Sequence, residues 1–185
     1  EDYSLYFLGI LSSSRGELES SRKYFHQLKQ AFPQSVWSAN ADLQLAKLSL
    51  AERNYQQAMS ELRAAKSLKA GKEIIEEALY LLGRLHETMG ELPQAYSAYQ
   101  ELRRASPLSP WSAMARKEVS RLRQEQPRLF GLTRAEALLD EGELLDRERL
   151  YQEAEKVYRT LVDLAPRGPL RPRFLLGLAN VLRAA

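Results

Sequence analysis

Apolar side chains recur along this chain at roughly three- to four-residue intervals, which is the spacing of one buried helix face. Leu5, Leu8 and Ile10 predict a helix from about Asp2 to Ser14, ended by Arg15-Gly16, where glycine permits the turn. Tyr24, Phe25, Leu28 and Phe32 predict a second helix from Leu18 to Phe32, stopped by Pro33. The same alternation continues to the last residues, with no period-2 stretch that would predict a strand. The expectation is an all-α chain of antiparallel helical hairpins.

The pattern also repeats. Pro33 to Ala41 (Pro-Gln-Ser-Val-Trp-Ser-Ala-Asn-Ala) returns at Pro107 to Ala115 (Pro-Leu-Ser-Pro-Trp-Ser-Ala-Met-Ala) with six identities, 74 residues on. Within that offset lie three units in register. The first holds Leu8-Gly9, Gly16, Ser21, Phe25 and Pro33. The second holds Leu45-Ala46, Tyr55, Ala58 and Leu62, without the turn glycine or the proline. The third holds Leu82-Gly83, Gly90, Ala95, Tyr99 and Pro107. These positions resemble the tetratricopeptide repeat, with Leu-Gly in helix A, a turn glycine, a small residue then a large one in helix B, and a closing proline. The resemblance implies a right-handed α-solenoid of helical hairpins, with about four repeats and an unpaired terminal helix.

The physical demands of such a unit are visible in the residues. Gly9, Gly83 and Ala46 allow helix A to approach helix B closely, with Ala58 and Ala95 serving the same approach from the other side. Phe25, Leu62 and Tyr99 are expected to fill the space between hairpins. Ser35 and Ser109 are placed as N-caps, with Pro110 at a first helical position, so Trp37 and Trp111 should wedge into the seams between units.

After the third unit the register changes. Trp111 to about Gln124 begins as a fourth helix A, with Ala115, Val119 and Leu122 apolar, but Gln126-Pro127 breaks it. It reads as a capping helix with Arg116, Lys117, Arg121 and Arg123 toward water, followed by an irregular link, Arg128 to Gly131. Thr133-Arg-Ala-Glu136 looks like a capping box opening a new unit with Gly142, Tyr151, Ala154, Tyr158 and Pro166. Arg173 to Leu182 is then another helix A with Leu176-Gly177 in place. The expected domains are a three-repeat module with its capping helix, residues 1–126, and a second module, residues 127–185. Because the pattern opens inside a helix and closes inside a unit, a piece of a longer polypeptide is expected.

Charge adds one local feature. The net charge is only +3, yet residues 111–134 carry six basic side chains (Arg116, Lys117, Arg121, Arg123, Arg128, Arg134) against Glu118 and Glu125, and residues 135–168 reverse the balance. A basic segment followed by an acidic one predicts mutual neutralisation rather than a nucleic-acid surface. Cysteine is absent, so disulfides and thiolate chemistry are excluded.

Catalytic and metal-binding patterns are missing. His26 and His86 lie far apart without Cys or His partners, and no Gly-rich phosphate loop or nucleophile elbow occurs. Carboxylate clusters such as Glu73, Glu76 and Glu77 read as solvated helix faces. No catalytic residue, cofactor or metal is expected, and no apolar run reaches the length of a membrane span.

The resemblance to the tetratricopeptide family implies instead a concave face lined by the A helices. On it would lie Tyr3 and Tyr6, then Asn40, Gln44 and Lys47, then Glu77, Tyr80 and Arg84. Rings mixed with Arg, Asn and Gln suit an extended peptide or a helix, and the family's two-carboxylate clamp of Lys and Asn is not reproduced. The long helix A and the Pro-x-Ser-x-Trp-Ser-Ala-x-Ala seam are similar to repeat proteins of bacterial envelopes, including the Tol-Pal-associated periplasmic protein, the barrel-assembly lipoprotein and the superhelical region of soluble lytic transglycosylases. That likeness implies an interaction scaffold in the periplasm or cell envelope, with the cytoplasm as the alternative compartment. The other reading is the non-catalytic part of a peptidoglycan-processing enzyme. Self-association through Arg173–Leu182 is a further expectation.

Overall fold

The structure, a computed structural model, describes residues 1–66, 70–165 and 167–185. Among them lie eleven helices: α1 (Asp2–Ser14), α2 (Leu18–Ala31), α3 (Trp37–Ala51), α4 (Tyr55–Ala65), α5 (Lys72–Thr88), α6 (Leu92–Ala105), α7 (Pro110–Glu125), α8 (Pro127–Phe130), α9 (Ala135–Arg147), α10 (Tyr151–Leu164) and α11 (Arg171–Ala184). The chain forms two compact units, Glu1–Ala98 and Tyr99–Ala185. Pro166, the closing proline expected for the fourth unit, lies outside the described residues.

Four helix A to helix B turns share one hydrogen-bond pattern. The amides of Glu17, Asn54, Glu91 and Leu150 donate to the carbonyls of Ser12, Ser49, His86 and Leu145 at 2.8–2.9 Å. The preceding amides, those of Gly16, Arg53, Gly90 and Arg149, bond back three residues. This double closure satisfies the last carbonyls of helix A and requires a left-handed residue at its centre. Glycine supplies it twice, at φ +78° and +77°, whereas Arg53 and Arg149 adopt φ +59° without that freedom.

In the first unit, α1 and α2 touch at Gly9. A Cβ there would stand 2.5 Å from the Phe25 ring, and the Ser21 hydroxyl donates to the Gly9 carbonyl at 2.8 Å. Phe25 and Leu28 on α2 then pack against Ala41, Leu45 and Leu48 on α3. The next seam repeats this with Met59, Leu62 and Ala65 on α4 against Ala78, Leu82 and Leu85 on α5. A polar cluster crosses the first seam: the Ser49 hydroxyl donates to the buried Glu61 at 2.7 Å, and Arg22 donates to Glu52 at 2.8 Å. Burial pushes the Asp42 carboxyl up, against the opposing hydrogen bond and charge of Lys29.

The second unit is tied together by a buried cation. Arg103 on α6 is fully buried, and all five of its N–H donors are engaged. Its Nε and Nη2 reach Glu148 at 2.7 and 3.1 Å, its Nη1 and Nη2 reach Glu141 at 3.0 and 2.9 Å, and Nη1 also reaches Gln100 at 3.0 Å. Arg123 on α7 adds a bond to Glu141 at 2.7 Å. Burial alone would lower the Arg103 pKa, but hydrogen bonds to Glu148 and Glu141, with their charges, more than offset it, so the guanidinium stays charged. Burial likewise works to raise Glu141, and the bonds from Arg103 and Arg123 prevail, holding it below its usual value of 4.5.

Several local expectations are corrected. Ser109 caps α7 as expected, accepting from the Ser112 amide at 3.3 Å. Ser35 does not cap α3; Val36 holds that position, and the Ser35 hydroxyl accepts from the Trp37 amide at 3.1 Å and donates to Asp2 at 2.7 Å, which lowers the Asp2 pKa. The capping box at Thr133 does not form, because α9 starts at Ala135 with Arg134 as its cap, which places Glu136 one position too early. The link after Pro127 is the short helix α8 rather than irregular chain. Arg123 turns to Glu141 instead of water, and Arg116 approaches Glu148 while staying partly exposed, the neutralisation that the charge pattern predicted.

Helix α11 also departs from expectation. Its Gly177 packs on Tyr158, where a Cβ would stand 2.5 Å from the ring, and Gly142 meets the same ring from α9 at 2.9 Å. In the first unit the matching glycine packs on its own helix B. Here the ring of the preceding helix B takes both glycines, and burial together with the Asp146 and Glu143 charges pushes the Tyr158 hydroxyl up to about 12. Leu176, at the position that Leu45 and Leu82 bury in the seams, is exposed, as is Leu8 at the same position of the first repeat.

Candidate functional site

Three A helices, α1, α3 and α5, lie side by side in the first unit, α1 against α3 and α3 against α5. All eight residues expected to bind a partner belong to them. Of these, Tyr3 is 54% exposed, Arg84 is exposed, and Asn40, Gln44, Lys47 and Glu77 are half-buried. Tyr6 and Tyr80 are buried at 9% and 5%, so they support this surface from below rather than line it.

The structure brings two subsets together. Lys47 Nζ pairs with Glu77 Oε1 at 2.7 Å, joining α3 to α5 and neutralising the middle of the surface. At the α1 end, Tyr3 and Tyr6 join Phe7 and Trp37 in one aromatic cluster. Ring centroids stand 4.3 Å apart for Tyr3 and Phe7, 5.6 Å for Tyr3 and Trp37, 4.8 Å for Tyr6 and Trp37, and 5.9 Å for Phe7 and Trp37. Tilted and edge-on arrangements at these separations are the favoured ones for aromatic pairs. Phe7, at 43% exposed, is the outward member that sequence reasoning missed. Its signal was present: it lies one helical turn after Tyr3 and one repeat before Gln44.

Each ring in this cluster is braced by others, so its conformation is set before any partner arrives. Such preorganised apolar area lowers the entropic cost of binding. Among the described residues no group of three or more His, Asp or Glu side chains is placed to hold a metal ion, and no helix is long and apolar enough to cross a membrane.

Hairpins with shared turns, glycine-on-ring contacts and repeated seams define an α-solenoid protein. The sequence model of the tetratricopeptide repeat family matches residues 77–109, covering most of α5, all of α6 and the start of the second Pro-x-Ser seam. Two solved structures share the fold. One is described as the "TPR2AB-domain:pHSP90-complex of yeast Sti1", with a TM-score of 0.56 at 15% identity over 99% of this chain and 70% of that one. The other is a tetratricopeptide repeat protein from Parabacteroides merdae, with a TM-score of 0.52 at 16% identity over 99% of this chain and 73% of that one. No curated protein matches the chain. The chain thus carries one repeat that matches the tetratricopeptide family, at residues 77–109, and shares the fold of solved tetratricopeptide-repeat structures.

Proposed function

We propose that this protein is an interaction scaffold without catalysis of its own, and that the surface of α1, α3 and α5 receives an extended peptide or a helix of a partner. The observation that carries this is the braced aromatic cluster, with Tyr3 and Phe7 exposed beside the polar row of Asn40, Gln44, Lys47, Glu77 and Arg84. Rings at one end would anchor an apolar side chain, and the polar row would bond to the backbone that follows it. The likeness of the Trp-containing seams to bacterial envelope repeat proteins supports the periplasm or cell envelope as the compartment. Self-association through Arg173–Leu182 belongs to the same reading, since Leu175, Leu176 and Leu182 are exposed there.

The experiment is selection of binding peptides from a displayed random library, followed by titration of Tyr3→Ala with Phe7→Ala. The double variant is expected to lose at least about ten-fold in affinity, the scale of truncated aromatic anchors. Its melting temperature should stay within a few degrees of the parent's. Unchanged affinity in a folded double variant removes the aromatic end from the site.

A further inference from the structure

The polar network of the second unit leaves one of its guanidinium groups loosely held. Within it Arg103, Arg116 and Arg123 approach Glu141 and Glu148. Both oxygens of Glu148 accept from Arg103, at 2.7 and 3.1 Å. Both oxygens of Glu141 accept from Arg103, and one of them also from Arg123. Arg116 is left with a 3.8 Å approach to Glu148, at the limit of an ion pair and beyond hydrogen-bond length. Its side chain keeps 28% of its surface exposed. Of the three, Arg116 is therefore the one that is not hydrogen-bonded to either carboxylate, and it reaches solvent.

That guanidinium opens into a cleft. Pro107, Leu108, Ala113 and Leu150 give it apolar walls, Ser109, Arg116 and Glu148 give it polar ones, and its volume is about 160 Å³. Cofactor and drug-sized sites run from about 300 to 1,000 Å³, so this one admits a group no larger than a single side chain. An apolar wall opposite one under-committed guanidinium matches a carboxylate on a short aliphatic stem. A phosphate suits it poorly, because the Glu148 carboxylate in the wall would repel a dianion about twice as strongly as a monoanion.

We propose that this cleft is a second binding site, which takes a carboxylate carried on an aliphatic stem, with Arg116 donating to it and Leu108 and Leu150 enclosing the stem. A glutamate side chain and the last residue of a peptide both present that chemistry. The site lies on α7 and the turn after α9, and stands independently of the surface on α1, α3 and α5.

The test is a titration of the full chain followed by backbone amide resonances of Leu108, Ala113 and Leu150. N-acetyl-leucine probes a chain-terminal carboxylate and N-acetyl-glutamic acid α-amide probes a side-chain one; N-acetyl-leucinamide and inorganic phosphate are the controls. At least one carboxylate probe is expected to shift these resonances saturably, and whichever binds tighter identifies the source. Arg116→Gln should weaken that probe by at least about ten-fold, with Arg116→Lys, which keeps the charge but not the fork, falling between. No shift into the tens of millimolar overturns the proposal. So does equal binding of the neutral amide, tighter binding of phosphate, or undiminished affinity in Arg116→Gln.

Discussion

Glycine-on-ring contacts are the smallest features on which this fold depends. Gly9 faces Phe25 with no room for a methyl group, the added Cβ standing 2.5 Å from a ring held at zero exposure. Phe25 is also packed against α3, so it cannot retreat without opening the first seam. Gly9→Ala should therefore destabilise the protein by about 1–3 kcal/mol, the usual cost of overpacking a fixed core. Gly16→Ala is the informative contrast, since nothing lies within 4 Å of its added Cβ and only the positive φ opposes the change. Urea denaturation of both variants separates steric from backbone cost; a Gly9→Ala variant as stable as the parent would show that the ring yields.

At the scale of elements, the turns rather than the helices are the most constant feature. Four of them use the same pair of backbone bonds, although two place arginine at the left-handed position. A β-carbon in that conformation costs roughly 1 kcal/mol, part of which glycine would return as unfolded-chain entropy. Arg53→Gly is thus expected to raise stability by about 0.5 kcal/mol or less, visible as a slightly increased thermal midpoint. The side chain of Arg53 is exposed. A lowered midpoint would mean that Arg53 contributes something the turn geometry does not explain.

At the scale of the whole molecule, a fully buried cation distinguishes the second unit from the first among the described residues. Arg103 is enclosed with Glu141 and Glu148, and removing one member of such a group costs more than the intact group contributes. Arg103→Leu should lose about 3–5 kcal/mol at neutral pH, because buried negative charge is left short of cations. The parent gains stability from Glu141 above that carboxyl's unfolded pKa and loses it as pH falls through the lower native one. In Arg103→Leu the donors that lowered Glu141 are largely gone and burial raises it. The deficit should consequently be greatest near pH 7 and shrink toward pH 4. Denaturation across that range checks this, and a deficit that does not change with pH contradicts it.

Helix positions, hairpin pairing and the identity of the core rings were legible in the sequence because they depend on local periodicity and on small residues at fixed offsets. Gly9, Phe25, Leu62 and Tyr99 occupy the places their register assigned them, whereas Leu8, expected on the buried face of α1, is exposed. Local chemistry was less certain at helix ends: the Thr133 box failed by one residue, since a cap depends on where the chain enters the helix. The sequence also identified which helices would share a surface. It could not say that Tyr6 and Tyr80 are buried while Phe7 is exposed, because that depends on how far each helix turns about its own axis.

What the residues determined by themselves is therefore the repeat: its period, its hairpins, and the neutralisation of a basic segment by the acidic one after it. Tertiary structure decided the rest. It enclosed Arg103 among carboxylates distant in sequence, set two glycines against the single ring of Tyr158, and left Arg116 with a loose partner at the edge of a cleft. Periodicity records which face of a helix is apolar. It does not record which partner meets that face, and charge and close approach are settled only when the helices meet.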